Sequence, residues 1–436
     1  MLEPPALSDG PQRRLIVPYD EGAAPPIELA AALHPLAQLT FVVRADEPLR
    51  PLLAELGQVL ELGGDRRVSD RLVEDLARWQ PDGIVTFSER FLEITAQLAE
   101  RLGLLFHPGP VVRGLTHKPT QRALLAEAGV DGTRFVEITA ATQWPAAVAE
   151  VGLPCVVKPA RGEGSRNTLR IDDVAEGDRV CADLLAGPEP ALLVEELLVG
   201  RDTRPFGDYV SVESVVVNGR PHHLEVTGKL PLVPPFRETC AFWPAPVSDA
   251  ERARLFALTD AALAALSVAD GLTHTEIKLT EAGPRIIELN GRLGGFIADL
   301  AGRAAGLDLF AIAGRIALGL PVELPASPRL DRTTFVFNNL PPAGARRLLS
   351  VSGVPAVRAL PGVTSYRPLF TPRRLIRGGF GTEELDLLRG SCAGPDEVLA
   401  LCRATGAELS FDFEMVPDGA VRTFAATELP SWQALA

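Results

Sequence analysis

Lysine is nearly missing from this chain: Lys118, Lys158, Lys229 and Lys278 are the four lysines in 436 residues, and the other 39 basic residues are arginine. Wherever a generic cation serves, the chain uses Arg, so a position that stays Lys calls for a compact, mobile ammonium rather than a planar fork. Gripping polyphosphate oxygens as a point charge is one such need. All four lie between 118 and 278, and the chemistry is sought there, although any single one reads equally well as a survivor of an Arg-rich composition. Cysteine is sparse too. Cys155, Cys181, Cys240, Cys392 and Cys402 form no CxxC pair, which indicates neither a zinc knuckle nor a disulfide framework and fits a reducing cytoplasm.

No Lys/Arg run stands out against a formal net charge of -13, so a nucleic-acid footprint is not expected. The most apolar stretch, 301–322, is broken by Arg303, Asp308, Arg315 and several glycines and falls short of a membrane span. No GxGxxG follows Tyr19 and no GxxxxGK[ST] occurs, so neither a dinucleotide fingerprint nor a P-loop is indicated. Residues 1–13 place their arginines after the acidic residues with no apolar core, and read as a disordered leader rather than a signal peptide. Small molecules are the expected partners.

What is present is enough apolar residue, 46%, to bury several cores, and a length that suggests about three domains. Over 1–115, the runs at 14–19, 39–45 and 83–89 alternate with amphipathic segments in a βαβ rhythm, predicting a Rossmann-like domain. A helix is predicted over 89–103, with Phe91, Ile94, Leu98 and Leu102 on one stripe and Gly103 closing it. A boundary is placed near 116, with Thr116 as the cap of the next helix. Residues 116–325 form the next domain, rich in β-type segments over about 151–290 that a helix over 251–266 interrupts. Residues 326–436, after a proline cluster at 321–328, read as a small α+β unit with a helix over 396–405. The fold class is thus mixed α/β and α+β, in several domains.

The sharpest local signal is HTEIKLTEAGPRIIELNGR. If Glu281, Ala282 and Gly283 make a three-residue hairpin loop with Gly283 in the left-handed position, Glu276 stands opposite Glu288 and His274 opposite Asn290. Alternation adds Lys278 to that face and sends Ile277, Leu279, Ile287 and Leu289 to the core. Like charges placed directly opposite destabilise a hairpin, so a compensating cation is expected. Magnesium held by two carboxylates, an amide and phosphate oxygens is one answer; a solvated face balanced by Lys278 and Arg292 is the other. The second signal, VVKPARGEGSRN, ends a β-type run in Lys158 and follows it with Gly162, Gly164 and Ser165, whose backbone can approach an anion. The third, ALLVEELLVGRD, is an apolar run with an acidic end that suits either an adenine-binding linker or an ordinary buried strand.

In this order the three signals resemble the ATP-grasp superfamily over roughly 116–320, and within it the carboxylate–amine ligases that act on L-amino acids. The resemblance implies a central ATP-grasp fold in which Lys118 and Lys158 contact ATP phosphates under the loop of Gly162, Gly164 and Ser165. It implies that Glu195 and the backbone of Glu196 and Leu198 meet adenine, that Asp202 binds ribose, with Asp208 or Glu213 as substitutes, and that Lys229 is a further phosphate-contacting, catalytic lysine. Glu276, Glu288 and Asn290 would hold two Mg2+ ions, with Mn2+ as a substitute, and Arg292 would be catalytic. Arg292, Gly294 and Gly295 would also face substrate, and Glu238 an ammonium, with Phe242 and Trp243 as pocket walls. The segment 234–246 reads equally as a surface crossover anchored by buried aromatics.

The function so implied is an ADP-forming ligase that makes an amide from an amino acid and an amine through an acyl phosphate, in the cytoplasm and as a homodimer if it assembles at all. Two alternatives stand beside it: capture of the acyl phosphate by a carrier-protein thiol, and a non-catalytic ATP-binding protein.

Overall fold

The computed structural model describes residues 13–20, 24–63, 67–187, 189–325, 330–369, 375–376, 381–417 and 419–433. Apart from Arg13, the leader expected over 1–13 lies outside them. Among the described residues the strands form four sheets.

The first is parallel. Arg14–Pro18 lies between Gln38–Val43 and Gly83–Ile84, with Gln58–Glu61 outermost. Its two inner strands, Arg14–Pro18 and Gln38–Val43, are almost continuously buried because both faces are covered, as parallel sheets require. Leu15 and Val17 point to one core with Leu29 and Leu33, while Ile16 points to the other with Leu76, Phe91 and Leu98. The helix predicted over 89–103 forms as a short turn Glu89–Phe91 running into Leu92–Leu102, and Gly103 ends it at φ 68°. The 83–89 run is a strand only over its first two residues; its remainder carries Ser88 and Glu89 past the sheet's carboxyl edge.

The apolar stretch 301–322 is explained by this sheet. It lies in two short helices, Ile297–Ala305 and Leu309–Ala317, and Leu309, Ile312, Ala313 and Ile316 share the core of Leu15 and Leu33. Among the described residues no helix is long and apolar enough to cross a membrane.

The centre of the chain contributes two further sheets. Phe135–Ile138, Leu192–Glu196, Cys155–Pro159 and Leu169–Ile171 form a small antiparallel sheet. Gly283–Asn290, Gly271–Thr280, Tyr209–Val217, Arg220–Lys229 and Cys240–Trp243 form one side of an eight-stranded sheet. The helix predicted over 251–266 is Asp249–Ala265, capped by Ser248, whose Oγ accepts from the Glu251 amide. The cap expected at Thr116 lies elsewhere: Thr116 ends the helix Gly109–Thr116, and His117 Nδ1 caps Lys118–Glu127.

The last third does not stand apart. Thr333–Phe337, Asp386–Cys392 and Val363–Pro368 continue the eight-stranded sheet beyond Cys240–Trp243, so the boundary expected at 325 marks no break in hydrogen bonding. Ala345–Ser352, Ser410–Met415 and Val421–Ala425 make the remaining sheet, and the predicted late helix is Pro395–Glu408.

Close packing makes one glycine decisive. A Cβ at Gly83 would lie 2.4 Å from the Ala317 carbonyl oxygen, a backbone atom that cannot swing away. Gly83→Ala is therefore expected to lose roughly 1–3 kcal/mol in chemical denaturation. Gly109→Ala, where a Cβ meets nothing within 4 Å, should leave stability unchanged within about 0.5 kcal/mol.

Candidate active site

Register builds the site. Glu276 pairs with Glu288 on one side and Ser211 on the other; His274 pairs with Asn290 and Glu213; Lys278 pairs with Tyr209. The hairpin reaches this pairing differently from the expected route. Thr280 pairs with Gly283, so the turn has two residues, Glu281 and Ala282, and Gly283 takes φ 117°. A bulge then absorbs one residue, because Ile277 pairs with Ile286 while Glu276 still meets Glu288. The bulge corrects the core assignment: Ile286, not Ile287, is buried with Ile277, Leu279 and Leu289, and Ile287 turns into the cleft.

The helix Lys118–Glu127 holds this outer strand. Gln121 accepts from the Leu289 amide and donates to its carbonyl, both at 2.8 Å, while Arg122 donates to the carbonyls of Ile286 (2.7 Å) and Ile287 (2.9 Å). Side chains thus satisfy backbone groups that an edge strand leaves open. The same helix starts at Lys118, whose Nζ lies 2.9 Å from Glu288 Oε1 and donates to the Gly162 carbonyl at 2.6 Å.

Between the small sheet and the large one lies a cavity of about 290 Å³. All four lysines line it. Each has an acidic partner: Lys118 with Glu288, Lys158 with Glu195 (2.7 Å), Lys229 with Glu238 (2.9 Å) and Lys278 with Asp208 (2.7 Å). Gly162, Gly164, Ser165, Glu195, Glu196, Leu198, Glu238, Glu276, Glu288, Asn290, Arg292 and Gly295 line it too.

The glycine-rich loop turns through positive φ at Gly162, Gly164, Ser165 and Asn167. It is anchored by Arg166 and Asn167 on Glu189, by Arg161 on Glu93 (2.7 Å) and by Arg90 on Glu163 (2.8 Å).

Several expected residues stand elsewhere. Asp202 is exposed, clasped by Arg204, and does not line the cleft. Glu213 is buried behind His274, and Asp208 touches the cleft through Lys278. Gly294 is not a lining residue; it packs on the His274 ring, where a Cβ would come within 2.5 Å. Phe242 and Trp243 are fully buried in two different cores, so the crossover reading of 234–246 holds for them, and within that segment Phe236 is the aromatic that reaches the cavity.

Charge is packed tightly. The His274 ring lies 2.9 Å from Glu213 Oε2 and 3.4 Å from Glu276 Oε1. Burial alone would lower the imidazole pKa, but the Glu213 carboxylate outweighs it and holds His274 at about 9. Burial would raise Glu276, yet the hydrogen bond and charge of His274, with Lys229 and Arg292, bring it to about 2. Glu89, from the N-terminal layer, lies 3.2 Å from Arg292; burial drives its carboxyl up and Arg292 offsets only part, leaving it at about 7.

Glu89, Arg122, Phe236, Ile287 and Phe296 were not assigned to the site from sequence. For Glu89 a signal existed, because ligands of open parallel sheets bind beyond the strands' carboxyl ends. Phe296 sits at φ 63°, rare for a bulky residue, at the entry to Ile297–Ala305.

Among the described residues no three His, Cys, Asp or Glu side chains gather closely enough to hold an ion alone. Two facing carboxylates beside an amide instead fit an ion that brings phosphate oxygens of its own.

Residues 151–299 match the model of the ATP-grasp domain. The chain carries an ATP-grasp domain. That domain supplies Lys158, the glycine-rich loop, Lys229 and the hairpin, whereas Lys118 and Glu89 reach the cleft from outside it. The alanine–anticapsin ligase of Bacillus subtilis is 27% identical over 53% of this chain and 52% of its own length. Carnosine synthase 1 of Homo sapiens is 26% identical over 77% of this chain and 43% of its own. The chain spans about half the length of these curated relatives. The crystal structure of the L-amino acid ligase from Bacillus licheniformis has the same fold, with a TM-score of 0.74 at 20% identity over 92% of this chain and 98% of that one.

The two raised groups make stability fall with rising pH in separate windows. Between 4.5 and about 7 folded Glu89 keeps a proton that the unfolded chain has lost, and between 6.5 and about 9 folded His274 does the same. Each effect is at most about 3 kcal/mol. Denaturant melts of the ligand-free protein from pH 5 to 9 should show both declines, with Glu89→Gln flattening the lower one and His274→Gln the upper.

Proposed function

We propose that the protein is an ATP-dependent carboxylate–amine ligase, ADP-forming, that joins an amino acid to an amine through an acyl phosphate. The observation that carries this reading is the convergence of all four lysines and the facing Glu276 and Glu288 on one cleft. The names of the alanine–anticapsin ligase and carnosine synthase relatives support amide formation by an amino acid. The five cysteines are free and buried, which suits a protein working in the cytoplasm without a thiol nucleophile.

In this reading Lys118, Lys158 and the backbone of 162–165 grip the phosphates, Lys229 adds a further cation, and Glu196 to Leu198 with Ile287 enclose adenine. We assign ribose to Asp208 because its partner Lys278 lines the cavity, whereas Asp202 is clasped by Arg204 and Glu213 is bound to His274. Glu276, Glu288 and Asn290 hold Mg2+, as two ions, which when bound neutralise and orient the terminal phosphates. Arg292 faces the charge that develops as the substrate carboxylate takes the phosphoryl group and ADP leaves. The amine then attacks the acyl carbon and phosphate departs. Gly295 leaves the backbone open to substrate, and Glu238 offers a carboxylate to an ammonium.

Amino acids and amines scanned in pairs for ADP release with ATP and Mg2+ test the reading; a chain that binds ATP but releases ADP with no pair overturns it. Glu288→Gln should lower kcat by roughly two orders of magnitude or more, while the free energy of unfolding changes by under about 1 kcal/mol. Near-normal ADP release from that variant contradicts the placing of Glu288.

A further inference from the structure

The cations of the cleft are already paired with acids, as set out above. Among the described residues that line the cavity, Asn338 keeps a buried side-chain amide nitrogen without a hydrogen bond. Asn338 is 4% exposed and lines the cavity. A buried amide that donates to nothing is costly, and such groups in a structure call for a ligand, water or ion to explain them.

Its surroundings are built to hold it still. The backbone N–H of Asn338 donates to the Thr239 carbonyl at 2.8 Å, continuing the pairing of Thr333–Phe337 with Cys240–Trp243. The next residue is saturated: Asn339 bonds Asp386 through its amide and its side chain, both at 2.8 Å, and accepts from Trp432 Nε1 at 2.7 Å. Leu340 is fixed by Ser431 Oγ at 2.8 Å. One asparagine of the pair is structural on every side, and its neighbour is rigidly positioned with a donor unused.

The register gives its direction. Lys229 pairs with Ala241, Ala241 pairs with Val336, and Asn338 lies two residues beyond Val336, so Lys229 and Asn338 share one face. The strands order the cleft from Glu276 and Glu288 through Lys229 to Asn338, which therefore stands at the end opposite the facing carboxylates. A group bound there meets the part of a substrate farthest from the transferred phosphoryl. The carboxylate that reacts must lie near Arg292 and the hairpin, so an acceptor oxygen at Asn338 belongs to the other substrate.

We propose that Asn338 is a specificity-determining residue whose side-chain amide donates to the carboxylate of the amine-side substrate, so that this substrate is itself an amino acid and the product a dipeptide with a free carboxyl end. This rests on the ligase reading above. The test compares an amino acid acceptor with the amine that lacks its carboxylate, measured by ADP release in wild type, Asn338→Asp and Asn338→Ala. Loss of a hydrogen bond to a charged group should raise KM for the amino acid acceptor about tenfold or more, most in Asn338→Asp, where two carboxylates face each other. KM for ATP, and for the amine without a carboxylate, should stay within about twofold of wild type, a split that loosened packing would not produce. Equal KM changes for ATP and both acceptors, or no change in the amino acid acceptor, overturn the assignment and leave the ligase reading standing. If Asn338→Asp does not fold, Asn338→Ala decides by the same split. Wild type that releases ADP with no amine of either kind overturns the ligase reading and this assignment together.

Discussion

Glu276 and Glu288 stand directly opposite each other on a β-ribbon, and in a half-buried setting two carboxylates so placed repel. The surroundings are arranged against that repulsion. Lys118 sits on Glu288, and His274, itself held by Glu213, sits beside Glu276. Lys229 and Arg292 add positive field from the sheet and from the loop after the hairpin. Behind them Ser211 and Thr227 both donate to Glu213, and Thr227 accepts from the Trp243 indole. The fully buried Trp243 is therefore the outer end of a chain of hydrogen bonds whose inner end fixes a carboxylate.

Because every cleft lysine already has an acid, a polyphosphate would bind by exchange rather than by filling a gap. Lys118 would turn from Glu288 to phosphate oxygens, and Glu288 would then be free for a divalent ion. Lys, unlike Arg, suits that exchange: its ammonium donates in any direction and forfeits no bidentate geometry when it turns. Arg122 and Arg285 instead hold several fixed groups at once. Arg122 spans Glu195 and two strand carbonyls, and Arg285 spans Asp131 and Thr133.

The parity of the hairpin was legible because alternation in HTEIKL and IIELN leaves one consistent face for the acids. The bulge was not legible. Ile286 and Ile287 are both apolar, so the sequence pattern cannot say which one faces the core, and the shorter turn together with the bulge returns the same pairing at Glu276. The N-terminal parallel sheet, the helix ending at Gly103 and the helix capped by Ser248 were readable from periodicity and capping residues, which act over a few neighbours. Arg122 was not, because what makes it part of the cleft is a set of partners far away in sequence, Glu195, Ile286 and Ile287. Asp202 illustrates the opposite error: an acid at a suitable distance along the chain is captured by Arg204, two residues on, and stays in solvent.

The C-terminal third closes the cleft through backbone as well as side chains. The Thr382 amide donates to the Gly164 carbonyl at 3.2 Å, and its hydroxyl accepts from the Glu238 amide at 3.3 Å. One residue thus joins the glycine-rich loop of the small sheet to the segment that carries the partner of Lys229. A few residues on, the Leu385 amide donates to the Asn339 carbonyl and Asp386 binds the Asn339 side chain and the Tyr366 hydroxyl. Movement of the loop away from the cavity must break a hydrogen bond to a strand entry pinned by buried groups. The terminal segment therefore helps to hold the glycine-rich loop, and the same Thr382 also holds the segment of Glu238.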